Sequence, residues 1–223
     1  MLVKGDFKVI ETFDFKVFLS RKEKKLINAL IRSNLGHAEI WDGSIISLGL
    51  IRKERDELKN NIKEQLLRLQ DGFCPYCGFK FSYRVGEAGV RNIQREHIAP
   101  KSSYKKYTFT TRNLVLACSI CNGSDYKSDC DTIDNVGNTY STCNFKIIHP
   151  YLDKRSEHLK LDANTGIYEL IDGKPKGKFT VDLFGLNERF HVESRKMHLD
   201  FEKYNVNNFE ELIRSLCSRN HTV

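Results

Sequence analysis

Apolar residues recur with a helical period twice in the first third of the chain. After Ser20, the positions Leu26, Ile27, Leu30 and Ile31 share one face of a helix. Ser20 with Glu23 three residues on is the signature of a capping box, which sets where that helix begins. A second stripe, Leu58, Ile62, Leu66 and Leu69, predicts a helix from about Arg52 to Leu69 that Gly72 stops. Both stripes are expected to pack into a core, with the intervening Lys and Arg as a solvated face. Upstream, Phe7 to Phe18 is rich in Phe, Val and Ile and predicts extended chain.

Further on the periods shorten. Phe79 to Tyr83 predicts a short strand. Leu159 to Asp162 and Ile167 to Leu170 flank Asn164-Thr165-Gly166, which predicts a hairpin with that tripeptide as its turn. Thr132 to Thr142, rich in Asn, Thr and Gly, reads as a loop, and Gly173 to Lys178 as a basic turn. Phe190, Met197, Phe201 and Tyr204 lie at helical spacing after Leu186-Asn187 and predict a helix with its Met and aromatic stripe in the core. Asn208 and Glu211 cap a last helix bearing Phe209, Leu212, Ile213 and Leu216.

With 223 residues, 40% of them hydrophobic, the chain can bury a sizeable core. The pattern divides it into 1–70 (an extended segment and helices), 71–130 (the cysteine-bearing part) and 131–223 (hairpin and helices). No Gly/Ser/Pro-rich linker separates these parts, so they are expected to pack as one unit of α+β class. The formal net charge of +7 favours a polyanionic partner. No secretory h-region follows Met1, and the longest apolar stretch, near Ile45 to Ile51, is too short to span a bilayer. A cytoplasmic protein without membrane attachment is expected, and its cysteines then stay reduced.

Reduced cysteines at close spacing point to metal. Cys74-x-x-Cys77 and Cys118-x-x-Cys121 can each form a tight knuckle and together supply four thiolates to one tetrahedral Zn²⁺. Gly78 would relieve crowding in the first knuckle. Four cysteines leave no open coordination position, so the zinc is expected to be structural. Cys130, Cys143 and His149 could contribute to a second site, but their spacing is irregular and buried free thiols account for them better.

The segment between the knuckles carries different chemistry. A carboxylate and a histidine adjoin at Glu96-His97, and asparagines stand at Asn113 and Asn122, the latter directly after the second knuckle. A neutral histidine can take a proton from water as general base. A carboxylate and an amide oxygen suit Mg²⁺ or Mn²⁺, which prefer oxygen ligands and retain waters. Lys101 to Arg112 interleaves basic residues with Tyr104, Tyr107 and Phe109, as a surface that stacks bases and meets phosphates would.

Taken jointly, these residues resemble the HNH, or ββα-metal, nuclease superfamily over about Phe73 to Asp129. The family's Asp-His-Ile-x-Pro signature stands here as Glu96-His97-Ile98-Ala99-Pro100, with Glu in place of Asp. Its zinc-bearing members place the final residue after a Cys-x-x-Cys and a Lys beyond it, matched by Cys118-Ser-Ile-Cys121-Asn122 and Lys127. The resemblance implies a small ββα core with a four-cysteine zinc site, and hydrolysis of DNA phosphodiesters to a 5′-phosphate and a 3′-hydroxyl. It implies His97 as general base, Glu96 and Asn122 as ligands of the catalytic Mg²⁺ or Mn²⁺, and Asn113 as the residue that orients the loop of His97. Arg95 and Lys127, with Lys101 and Lys105, would contact the substrate. The segments around His149-Pro-Tyr and Phe184-Gly-Leu-Asn187 resemble HNH proteins of Septu and retron-linked anti-phage systems, which act with an ATPase partner. A zinc-stapled nucleic-acid-binding module without catalysis, and an HNH enzyme acting on RNA, are the competing expectations.

Overall fold

The structure, a computed structural model, describes residues 6–50, 52–81 and 93–204. Helix α1 spans Arg21–Arg32. Its capping box is formed: the Ser20 hydroxyl accepts from the Glu23 amide at 3.2 Å, and the Glu23 carboxylate accepts from the Ser20 amide at 2.7 Å. Leu26 and Leu30 are buried, with Ile27 and Ile31 packed beside them. Helix α2 is a short His37–Trp41 segment, and helix α3 runs Arg52–Leu69. Leu58, Ile62 and Leu66 of α3 enter the core, while Leu69 lies at the exposed edge of the stripe. Asp71 and Gly72, both with positive φ, then reverse the chain.

Two basic residues of α3 are not on a solvated face. Arg55 is fully buried and donates to the carbonyls of Glu39 and Gly43, and Lys59 donates to the carbonyl of Trp41 and pairs with Asp42. These side chains satisfy backbone acceptors in and just after α2, whose last carbonyls have no helical partner. The helical period cannot distinguish such a lysine or arginine from a surface one.

Strands β1 (Ile93–His97) and β2 (Leu114–Cys118) pair antiparallel, in a register from Ile93 opposite Cys118 to His97 opposite Leu114. The Gln70 side chain at the end of α3 both donates to and accepts from the backbone of Leu116, fixing β2 against the helix. After β2 the chain forms overlapping turns over 119–129. Asn122 still donates to the carbonyl of Cys118 with helical spacing, but positive φ at Ser128 prevents continuation.

The stretch expected as a loop over Thr132 to Thr142 instead contains β3 (Ile133–Asn135), which pairs with β4 (Asn144–Phe145), and a 3₁₀ turn at Tyr140–Thr142. Strands this short carry no readable alternation. The expected hairpin is present as β5 (Leu159–Leu161) and β6 (Tyr168–Leu170), with Gly166 at φ 75°. The expected turn at Gly173 to Lys178 is partly helical, because Pro175 opens α4 (Pro175–Leu183). Helix α5 spans Arg189–Tyr204, but Phe190 and Met197 face outward. Its buried face is polar: His191 and Arg195 point inward, the latter over the Tyr168 ring. The capped helix expected at Asn208 lies outside the described residues. Of the strand expected over Phe79 to Tyr83, Phe79 and Lys80 make single bridges to Phe7 and Phe73, and the remainder from Ser82 lies outside.

One hydrophobic cluster runs from Val17 to Leu186 and includes Ile98, Leu116, Phe145 and Phe184. The extended chain at 7–18 lies across it, with Lys8 donating to Gly78 and Phe13 to Pro150. Buried Arg155 donates to the carbonyls of Ile10, Pro75 and Tyr76, so a residue of the C-terminal part closes the first knuckle. Among the described residues no helix is long and apolar enough to cross a membrane.

Candidate functional site

The four knuckle cysteines converge. Their sulfurs all lie within 4.8 Å of one another, and Cys77 Sγ and Cys118 Sγ are 3.8 Å apart. A tetrahedral zinc with arms of about 2.3 Å would hold its sulfurs about 3.8 Å apart, whereas a disulfide needs about 2.05 Å. The donor set therefore fits zinc and not a disulfide. Hydrogen bonds from Cys121, Cys74 and Cys77 hold the Cys118 thiol far below its ordinary range, while the contact with Cys118 is the chief cause that pushes Cys77 and Cys121 up. Gly78 allows the first knuckle its turn: φ is 79°, and a Cβ there would stand 2.4 Å from the carbonyl oxygen of Lys8. Among the described residues this is the sole cluster of metal-ligating type. Cys130, Cys143 and His149 do not join into a second one: Cys143 contacts the Tyr107 hydroxyl, and His149 faces Tyr140.

Beside this cluster opens a polar cleft of about 220 Å³, lined by Arg95, Glu96, His97, Lys101, Asn122 and Lys127 among others. Strand β1 supplies Arg95, Glu96 and His97, and the turn after the second knuckle supplies Asn122. Glu96 is buried and lies 2.5 Å from the ammonium of Lys127, which also donates to the carbonyl of His97 at 2.8 Å. Apart from that ammonium, Glu96 Oε1 has no partner among the described residues. Burial raises the Glu96 carboxyl pKa, and Lys127 opposes that rise. Asn122 donates through Nδ2 to Gln94 at 2.7 Å, leaving Oδ1 without a hydrogen bond among the described residues. A buried carboxylate and a free amide oxygen on one cleft are oxygen donors of the kind that fit a hard divalent cation.

His97 is held from behind. Its Nε2 lies 3.0 Å from the carbonyl oxygen of Thr108, so Nε2 carries the proton and Nδ1 is the basic nitrogen. No hydrogen bond engages Nδ1 among the described residues. The Trp41 indole packs edge-on against the ring with centroids 4.5 Å apart. Burial, reinforced by the charges of Lys101 and Lys127, lowers its pKa to about 3, with the Thr108 carbonyl opposing. The ring is therefore neutral at physiological pH.

Asn113 does not line the cleft. It is fully buried behind it, where its Oδ1 accepts from the Ala99 amide and its Nδ2 donates to the carbonyls of Ala99 and Tyr107. Arg95 lines the cleft, but its guanidinium is bound to the Lys59 carbonyl and the Asn60 side chain. Lys127 forms the floor and has almost no exposed surface, whereas Lys101 is partly exposed at the rim. Lys105 sits apart, donating to the carbonyl of Ser33. Tyr107 and Phe109, expected as part of a stacking surface, are buried in the core. Gln94, Trp41 and Thr108 were not found from the sequence, because none stands at a motif position and their roles arise only from contact.

Residues 74–128 match the family model described as HNH endonuclease. That span encloses both knuckles, Glu96, His97, Asn113, Asn122 and Lys127. The chain is also similar to a protein described as "Septu protein PtuB" from Bacillus mycoides (strain KBAB4), at 26% identity over 162 residues. The match covers 64% of this chain and 52% of that protein, so the chain spans about half the length of this curated relative.

Proposed function

We propose that this chain, through its HNH domain at 74–128, is a metal-dependent endonuclease that hydrolyses DNA phosphodiesters. The observation that carries the proposal is the state of His97. A carbonyl fixes its tautomer from behind, and the free Nδ1 belongs to a residue lining a cleft that also holds Glu96 and Asn122. That is what a general base for water requires.

Glu96 and the Asn122 amide oxygen would hold the divalent cation, Mg²⁺ or Mn²⁺. When bound, the cation offsets charge on the scissile phosphate and on the leaving 3′ oxygen. His97 Nδ1 accepts a proton as water oxygen bonds to phosphorus. The bond from phosphorus to the 3′ oxygen breaks, and that oxygen takes a proton from solvent, leaving a 5′-phosphate and a 3′-hydroxyl. The Thr108 carbonyl holds the ring in line and stabilises the imidazolium that forms. The low resting pKa keeps His97 unprotonated, and an anionic phosphate entering the cleft raises it towards working pH. Lys101 at the rim is placed to meet the phosphate backbone, whereas Lys127 positions Glu96 and the main chain of His97.

The zinc site is structural in this proposal, because four thiolates leave no position for water. It fixes the knuckle that carries Asn122. A site of four thiolates needs reduced cysteines, which supports a cytoplasmic location. Similarity to the Septu protein, together with the basic net charge, supports a role in anti-phage defence on nucleic acid, and the family resemblance implies an ATPase subunit as its partner.

Purified chain with Mg²⁺ or Mn²⁺ should nick plasmid DNA, and His97→Ala should abolish nicking while zinc content and melting temperature are retained. Undiminished nicking by His97→Ala would sink the proposal. Side-by-side digestion of labelled DNA and structured RNA tests the substrate. Salt-sensitive binding without strand breaks under either cation, with or without an ATPase partner, would favour a binding module instead.

A further inference from the structure

His149 and Tyr140 are buried polar residues that the chemistry above does not use. Their hydrogen bonds form a chain with a definite direction. The backbone amide of Tyr151 donates to His149 Nδ1 at 3.1 Å, so the proton of the neutral ring is on Nε2. Nε2 lies 2.9 Å from the Tyr140 hydroxyl oxygen, which must therefore accept. The hydroxyl passes its own proton to Asn113 Oδ1 at 2.9 Å. The Ala99 amide also donates to Oδ1, at 2.7 Å, which fixes the amide so that Nδ2 faces the carbonyls of Ala99 and Tyr107. Each donor in this series has one acceptor and no proton is left unplaced.

The far end of the chain bears on His97. Ala99 follows it by two residues. Tyr107 precedes Thr108, whose carbonyl receives the His97 Nε2 proton. Asn113 thus ties together the two backbone segments whose separation sets that 3.0 Å contact. We propose that Tyr140 and His149 are positioning residues for His97: they lock the Asn113 amide, and through it the tautomer and aim of the general base. The C-terminal part of the chain would then complete the nuclease site without touching substrate.

Only the kinetic test rests on the nuclease proposal. In a cleavage assay with Mg²⁺ on plasmid DNA, Tyr140→Phe should lower kcat by about tenfold to a hundredfold, as small misplacements of catalytic groups do, with KM within about twofold. His149→Phe removes the donor and should match it. His149→Gln places an amide N–H near the position of Nε2 and should restore most of the rate. Independently of activity, ¹⁵N-histidine spectra should show His149 as the Nε2–H tautomer in the wild type. They should also show His97 losing its protected Nε2–H signal in Tyr140→Phe and His149→Phe. Wild-type cleavage and an unchanged His97 spectrum in folded, zinc-loaded Tyr140→Phe would overturn the proposal, as would His149→Gln behaving like His149→Phe. If Tyr140→Phe does not fold, the two His149 variants decide. If the wild type cleaves nothing with or without an ATPase partner, the nuclease reading fails, and the His97 spectrum alone decides the positioning role.

Discussion

The Lys127 ammonium lies 2.5 Å from Glu96 Oε1 and 2.8 Å from the carbonyl oxygen of His97, with both side chains buried. One lysine thereby neutralises the carboxylate on β1 and braces the main chain of the adjacent histidine. Removing it leaves an unpaired buried charge. Lys127→Met should destabilise the fold by about 3–5 kcal/mol, and adding Glu96→Gln should recover part of that loss. Urea unfolding of the two single variants and the double variant measures the coupling. Additive losses would show that the pair has no joint role.

Acid should weaken the fold through its buried histidines. His97 and His149 both have folded-state pKa values lowered to about 3, chiefly by burial. The unfolded chain takes up protons near pH 6.5 and the folded one does not, so the contribution is complete above that pH and lost as pH falls towards 3. The slope is up to about 1.4 kcal/mol per pH unit for each ring. Lys101, Lys127 and Lys59 face His97, and Asp153, Lys176 and Arg112 act on His149. Glu96, whose pKa burial raises, acts in the opposite sense. Comparing wild type with His149→Gln between about pH 4 and 7 isolates one ring, and equal slopes would refute its part.

Zinc should prove to be part of the fold. Elemental analysis is expected to find one zinc per chain. Chelation or Cys118→Ser should lower the melting temperature and release the knuckles that frame the cleft. Full thermal stability after demonstrated zinc removal would contradict this.

Gly78 offers a local test of the first knuckle. At φ 79°, with Lys8 O 2.4 Å from the place of a Cβ, Gly78→Ala meets both backbone strain and a main-chain clash. A loss of more than about 2 kcal/mol is expected, measurable by thermal or urea unfolding. A neutral substitution would mean that the extended chain at 7–18 readily shifts away.

Legibility followed the kind of interaction. The capping box at Ser20 and Glu23, the span of α3 and the turn at Gly166 rest on local rules and stood in the sequence. So did the convergence of four cysteines at fixed spacing. The inward polar face of α5 did not: His191 and Arg195 are buried because a carbonyl and an aromatic ring wait for them, while Phe190 and Met197, by composition the better core residues, face outward. Arg55 and Lys59 were misjudged for the same reason, since their acceptors belong to α2 and its C-terminal turn. At the site, the motif positions were readable as residues, but the Thr108 carbonyl that gives His97 its tautomer is backbone and leaves no mark in a sequence.

Arg155 carries a consequence for the order of synthesis. Its guanidinium donates to carbonyls of residues 145, 80 and 79 positions earlier in the chain. A ribosome that has released the first knuckle has not yet made the side chain that satisfies its backbone oxygens. Cys74 and Cys77 must also wait for Cys118 and Cys121. The nascent chain therefore passes through an interval in which the first two thiols stand without the other two ligands of their site, which the second knuckle supplies before Arg155 is made.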